Sequence, residues 1–77
     1  MQNMYKTNNI FLSSAIMASG FMLENIDRSN PEKVSFEFED GEQLRTVVKN
    51  YLCRRLPIDA SDLFSSFKSL KNQLYES

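Results

Sequence analysis

The chain has 77 residues, one cysteine, no histidine and a formal net charge of −1. Those figures exclude an intrachain disulfide, a structural zinc site and nucleophilic catalysis through an imidazole base of its own. They leave room for a single domain, residues 1–77, whose stability comes from its own core or from a partner.

Charge is polarised along the sequence: residues 1–43 carry three basic and seven acidic side chains, residues 44–77 six basic and three acidic. Residues 1–6 read as a polar lead, with Tyr5–Lys6 as a brief extended segment. Thr7 is placed as an N-cap, because its hydroxyl can accept from an unpaired first-turn N–H. Phe11, Leu12, Ala15, Ile16 and Ser19 then share one face at helical spacing, and Gly20 stands where a left-handed C-terminal residue is needed. The small residues Ser13, Ser14, Ala15, Ala18 and Ser19 allow a neighbouring element to come close, a property best used inside the domain.

Phe21–Asp27 reads as a strand that is apolar on both faces. Arg28–Glu32, with its Asn30–Pro31 pair, reads as a turn. Val34–Glu39 alternates with a period of two: Val34, Phe36 and Phe38 point one way, Ser35, Glu37 and Glu39 the other. The two strands form an antiparallel hairpin. On its outer face Glu37 and Glu39 would blunt an edge against sheet-to-sheet pairing.

A second helix opens at Asp40–Gln43, an approximate capping box. Its apolar stripe is Leu44, Val47, Val48, Tyr51 and Leu52, and it stops at Leu56–Pro57. A third helix is capped by Asp59, with Ile58 and Leu63 set for a hydrophobic staple. It continues as Leu63, Phe67, Leu70 and Leu74, with Phe64 beside that stripe.

The predicted fold is therefore α+β, in the order α-β-β-α-α: a two-stranded antiparallel hairpin packed against three helices. Phe36, Phe38, Leu44, Val48, Leu52, Leu63, Phe67 and Leu70 form the expected core.

Chemistry-bearing groups are sparse. Cys53 sits beside Arg54 and Arg55, which could lower a thiol pKa, but a half-buried filler suits it better. Glu37 with Glu39 and Asp59 with Asp62 have sufficient structural roles as solvated face and cap. No glycine-rich phosphate loop and no zinc or EF-hand spacing occurs, so no cofactor, metal site or small-molecule substrate is expected. The longest apolar stretch is too short to span a bilayer, and the N-terminus is a poor signal peptide. A cytoplasmic protein without a membrane partner is expected.

Two surfaces stand out. Met17, Met22 and Ile26 would form an apolar protein interface, with Met22 and Ile26 on the sheet's second face. Arg45, Lys49, Arg54, Arg55, Lys68 and Lys71 could contact nucleic acid or another polyanion, with Tyr51 and Tyr75 as aromatic partners. The sequence pI near 5.3 argues against strong nonspecific polyanion binding.

Tyr5–Thr7, the helix with Leu12, Ala15 and Gly20, the run Val34–Phe36–Phe38–Glu39, and the tail with Asp59, Phe64, Leu70–Lys71 and Tyr75 together resemble a small domain-of-unknown-function family found in bacteriophages and integrated mobile elements. The resemblance covers about residues 5–75. That family often has an aromatic–Asn–Gly run after its second helix, where this chain has Tyr51–Leu52–Cys53–Arg54–Arg55. It implies a phage or mobile-element setting, hence the host cytoplasm, and no known enzymatic activity.

The expected function is a small non-enzymatic accessory protein that binds another macromolecule or itself. The alternative is a nucleic-acid-binding accessory protein that uses the basic C-terminal half.

Overall fold

The computed structural model describes residues 3–30 and 32–75. Its elements are β1 (Met4–Thr7), α1 (Ile10–Ala18), β2 (Asn25–Asp27), β3 (Ser35–Glu39), α2 (Glu42–Leu52) and α3 (Ala60–Tyr75). The sheet is three-stranded and antiparallel in the order β1-β3-β2, so the expected two-stranded hairpin gains a strand. Tyr5–Lys6, expected as a brief extended segment, is the middle of β1; four residues are too few to show the alternation of a paired strand. The segment becomes a strand because β3 offers a second row of backbone donors and acceptors to partners 29 to 35 positions away in sequence.

Register assigns the faces. Tyr5 and Thr7 lie opposite Phe38 and Phe36, and Ile26 lies opposite Phe36. Directly opposed residues share a face, so all five belong to the side that carries the buried phenylalanines. Lys6 and Asn25 both oppose Glu37 on the other side. Ile26 is thus a core-facing residue, half-buried and packed on the core cluster, and the expected second-face role for it is corrected. The strand over Phe21–Asp27 also shortens to Asn25–Asp27; Phe21 and Leu23 leave the alternation and dock on the core as irregular chain. β3 is a central strand, so Glu37 and Glu39 do not guard an edge.

The turn before β3 is held by local side-chain acceptors. Asp27 Oδ1 accepts from the Ser29 N–H at 3.0 Å, and Asn30 Oδ1 accepts from the Glu32 N–H at 3.0 Å. Pro31, singled out as a turn signal, lies outside the described residues.

α1 is capped by Asn9, not Thr7: Asn9 Oδ1 accepts from the N–H groups of Phe11 at 2.9 Å and Leu12 at 3.1 Å. Thr7 is committed to β1, and its hydroxyl accepts instead from the Asn9 N–H at 3.1 Å, bracing the cap. At the other end, the Gly20 N–H donates to the Met17 carbonyl and the Phe21 N–H to that of Ile16, with Gly20 at φ 102°. This is a Schellman closure with glycine at the left-handed position. Between the ends, Leu12, Ser13, Ser14, Ala15 and Ile16 are all buried, so the helix is enclosed on most of its circumference. The buried hydroxyls of Ser13 and Ser14 donate to the Asn9 and Ile10 carbonyls at 2.9 and 2.8 Å, which removes the cost of burying them. Of the small residues, Ser13, Ser14 and Ala15 are spent inside the domain, whereas Ala18 is half-buried and Ser19 exposed.

The core is one cluster: Leu12 and Ile16 of α1, Phe36 and Phe38 of β3, Leu44 of α2 and Leu70 of α3. α1 packs most extensively against α3, then against α2, while α2 and α3 make no comparable contact with each other. α1 therefore stands between α2 and α3. This accounts for two further corrections. Leu52 is 70% exposed and Leu63 37%, because no α2–α3 seam exists to cover them. Phe36, Phe38, Leu44 and Leu70 hold their expected places, with Val48 and Phe67 half-buried.

α2 starts without a side-chain cap. Its N-cap position is Gly41, and Asp40, expected to cap, turns toward Arg45 instead. α3 begins as expected, with Asp59 Oδ1 accepting from the Ser61 N–H at 2.8 Å. Its C-terminal end is tied back to the strand loop by Arg28, whose Nη2 donates to the Gln73 and Leu74 carbonyls at 2.8 and 3.1 Å. A cation at carbonyls left unpaired by the helix end suits the helix dipole.

α2 ends in the same closure as α1: the Arg54 N–H donates to the Tyr51 carbonyl and the Arg55 N–H to that of Asn50. Here, however, the left-handed residue is Arg54, at φ 58°. For an L-residue this conformation costs about 1–2 kcal/mol. Arg54→Gly should therefore raise stability by about 1 kcal/mol in urea unfolding.

A second comparison separates the observed core from the expected one. Ile16→Ala should cost about 2–5 kcal/mol, a large share of the about 4–12 kcal/mol available to a chain this long. Leu52→Ala should stay within about 0.5 kcal/mol of wild type, as exposed positions do.

Candidate functional site

α3 carries two stripes offset by one residue. Leu63, Phe67, Leu70 and Leu74 turn toward α1 and the core. Phe64, Lys68, Lys71 and Tyr75 repeat the same 4-3-4 spacing one position later, about 100° further round the helix. The second stripe is outside: Phe64 is 65% exposed and Tyr75 75%.

The ammonium groups lie over the rings. Lys68 Nζ is 5.4 Å from the Phe64 centroid; Lys71 Nζ is 5.5 Å from that of Phe67 and 5.9 Å from that of Tyr75. All are within cation–π range, worth about 0.5–1 kcal/mol at exposed sites. Phe11, 60% exposed at the start of α1, extends the aromatic surface, its ring 5.3 Å from that of Phe67 at an interplanar angle of 45°. Among the described residues neither lysine has an acidic side chain within ion-pair distance.

The six basic residues expected to act together divide between α2 with its C-terminal turn and α3, which carries only Lys68 and Lys71. Arg45 and Lys49 are on the exposed side of α2, and Arg54 and Arg55 form its C-terminal turn. Arg45 is already engaged in a forked pair with Asp40, Nε–Oδ1 3.0 Å and Nη2–Oδ2 2.7 Å. That pair holds the Asp40 carboxyl below its usual range, chiefly through the hydrogen bonding. Of the two expected tyrosines, Tyr75 joins the lysines, whereas Tyr51 is half-buried on the core. Phe64, Phe67 and Phe11 are the aromatic partners that reading the sequence missed. The shifted 4-3-4 spacing was available in the sequence; the contribution of Phe11 was not.

Of the expected apolar interface, Met17 and Met22 border one recess and Ile26 does not. Met17 is half-buried on the core, Ile26 faces inward, and Met22 alone of the three is strongly exposed. Met17 and Met22 border a shallow recess of about 490 Å³ between the α1–β2 connection and the serine-bearing side of α3. A second recess of about 470 Å³, lined by Ala15, Leu52, Arg54, Leu56, Ile58 and Leu63, opens where α2 leaves off and α3 begins. Cys53, expected as a half-buried filler, is exposed at the end of α2.

No three of His, Cys, Asp and Glu gather as a metal site requires among the described residues. Among the same residues, no helix is long and apolar enough to cross a membrane.

A family model matches residues 2–76, nearly the whole chain. The chain belongs to that family, described as a domain of unknown function (DUF5659). No curated protein and no solved structure matches it. For this DUF5659 domain, the geometry must therefore carry the functional argument.

The solvent face of the sheet holds the other charge cluster. Lys6 Nζ on β1 reaches Asp27 of β2 at 3.2 Å and Glu37 of β3 at 3.8 Å, tying the two outer strands across the central one. Asn25 Nδ2 donates to Glu37 at 3.3 Å. The Asp27 carboxyl is lowered to about 2, first by the Ser29 backbone N–H, then by the Ser29 side chain and Lys6. A carboxylate with a depressed folded pKa stabilises the fold fully above its unfolded value and loses that contribution as pH falls through the folded one. Melting temperature should therefore drop between pH of about 4 and about 2, and Asp27→Asn should flatten part of that drop. Identical acid limbs for the two proteins would show that the turn and Lys6 do not hold this carboxylate.

Proposed function

We propose that this DUF5659 domain is a non-enzymatic interaction module that binds another macromolecule through the aromatic–lysine flank of α3. One observation carries the reading: Phe64, Lys68, Lys71 and Tyr75 project from one flank of a well-anchored helix, and among the described residues the lysines contact rings and no acidic side chain. Exposed aromatic side chains collected on one surface mark interaction sites more often than chance exposure does.

The non-enzymatic part is supported by how the polar groups are used. The chain has no imidazole. Asp27 is spent on a turn and an ion pair, Asp40 on Arg45, and Asp59 on a helix cap. A phage or mobile-element origin, with action in the host cytoplasm, belongs to the same proposal and rests on the resemblance over residues 5–75.

The test is affinity capture from source cells with the full chain as bait. Wild type and Met22→Ser should retain the same macromolecule, and the triple variant Phe64→Ser/Lys68→Ser/Tyr75→Ser should lose it while keeping the wild-type melting temperature. Retention by the folded triple variant, or no retention by wild type, overturns the proposal.

A further inference from the structure

We infer that the partner of the α3 flank is single-stranded nucleic acid, an inference that rests on the proposal above and names its ligand class. Three observations favour it over a protein partner. First, flat ring surfaces and cations share one flank of the helix: Phe64, Lys68, Lys71 and Tyr75, with Phe67 and Phe11 alongside. A single strand presents both matching chemistries, base faces that stack on rings and phosphates that pair with ammonium groups.

Second, each ammonium sits within 6 Å of a ring centroid, so the rings of Phe64, Phe67 and Tyr75 each have a cation beside them. The dry centre of a protein interface is depleted in lysine, because burying an ammonium beside apolar surface needs an anion delivered to the same spot. A nucleotide brings the flat apolar face and the anion together. Third, among the described residues the lysines carry no acidic partner that a phosphate would have to displace.

A duplex fits less well, since its bases already stack on one another and offer no free face. Phe64 and Tyr75 are 11 positions apart, about 16 Å along the helix by its rise. The platform is thus long enough for a few nucleotides and for two phosphate contacts. Binding should be weak, indifferent to sequence and mildly salt-dependent. Two phosphates on a single strand correspond to a slope of log K against log salt near about −1.4.

The experiment uses the full chain, titrated with a short oligothymidine while the backbone amides are followed by NMR and the affinity by fluorescence anisotropy. Saturable shifts should centre on the amides of Phe64, Phe67, Lys68, Lys71 and Tyr75. Phe64→Ser/Tyr75→Ser should weaken binding at least about fivefold, and Lys68→Gln/Lys71→Gln should bring the salt slope near zero. A duplex of the same length should bind more weakly than the single strand. These positions are exposed, so the variants should melt like wild type, and melting curves verify it.

Equal binding of duplex and single strand, binding unaffected by the ring substitutions, or no saturable shift overturns the inference. So does a polyglutamate peptide that displaces the oligonucleotide at equal charge concentration, which would identify an acidic polypeptide site. If the oligonucleotide fails but flank-dependent capture of a protein persists, this inference falls and the broader proposal stands. If flank-dependent capture fails as well, both fall.

Discussion

Burial of Phe36 and Phe38 under α1 is the contact on which the remaining structure depends. Both rings sit on the central strand, with partners on each side, and share one cluster with Leu12 and Ile16. Each such side chain contributes about 1.5–3 kcal/mol when fully removed from water. In a domain this small, few other residues can supply as much. Without that contact β1 would have no partner strand, and α2 and α3, which scarcely touch each other, would have no common surface to pack on.

The composition of α1 follows from that position. A helix enclosed by a sheet and two other helices cannot carry a narrow apolar stripe and a charged back. Its inner residues are Leu12 and Ile16, and its flanks are Ser13, Ser14 and Ala15, small enough for neighbours to come close. The serines satisfy their hydroxyls on the preceding turn, so the helix can be buried on several sides with no buried side-chain polar atom left unpaired among the described residues. The ends of α1 and α2 show how much latitude such a fold leaves. One chain reversal uses glycine in the left-handed region and the other tolerates arginine there, with strain in the second.

α3 combines anchoring and display. Its inner stripe is held by Leu70 in the core, its start by Asp59 and its end by Arg28. A helix fixed at three points can present a neighbouring flank in a defined geometry. The flank it presents differs in chemistry from the solvent face of the sheet. There Lys6, Asp27 and Glu37 satisfy one another, whereas among the described residues the lysines of α3 meet rings and no acidic side chain. The polarity between the two halves of the sequence thus becomes a difference between a neutralised face and an open one.

The sequence by itself determined the elements whose signals are local: the alternation of β3, the stripes of α2 and α3, the Asp59 cap, the Gly20 stop and the family to which the chain belongs. Even the outer flank of α3 was legible, as a repeat of the inner stripe shifted by one position. The tertiary structure decided what depends on distant residues. Whether Met4–Thr7 is a strand, which way Ile26 points, whether Leu52 is covered and whether Phe11 reaches Phe67 all turn on chain segments tens of residues away. Pairing and burial are properties of the partner as much as of the residue, so no local pattern encodes them.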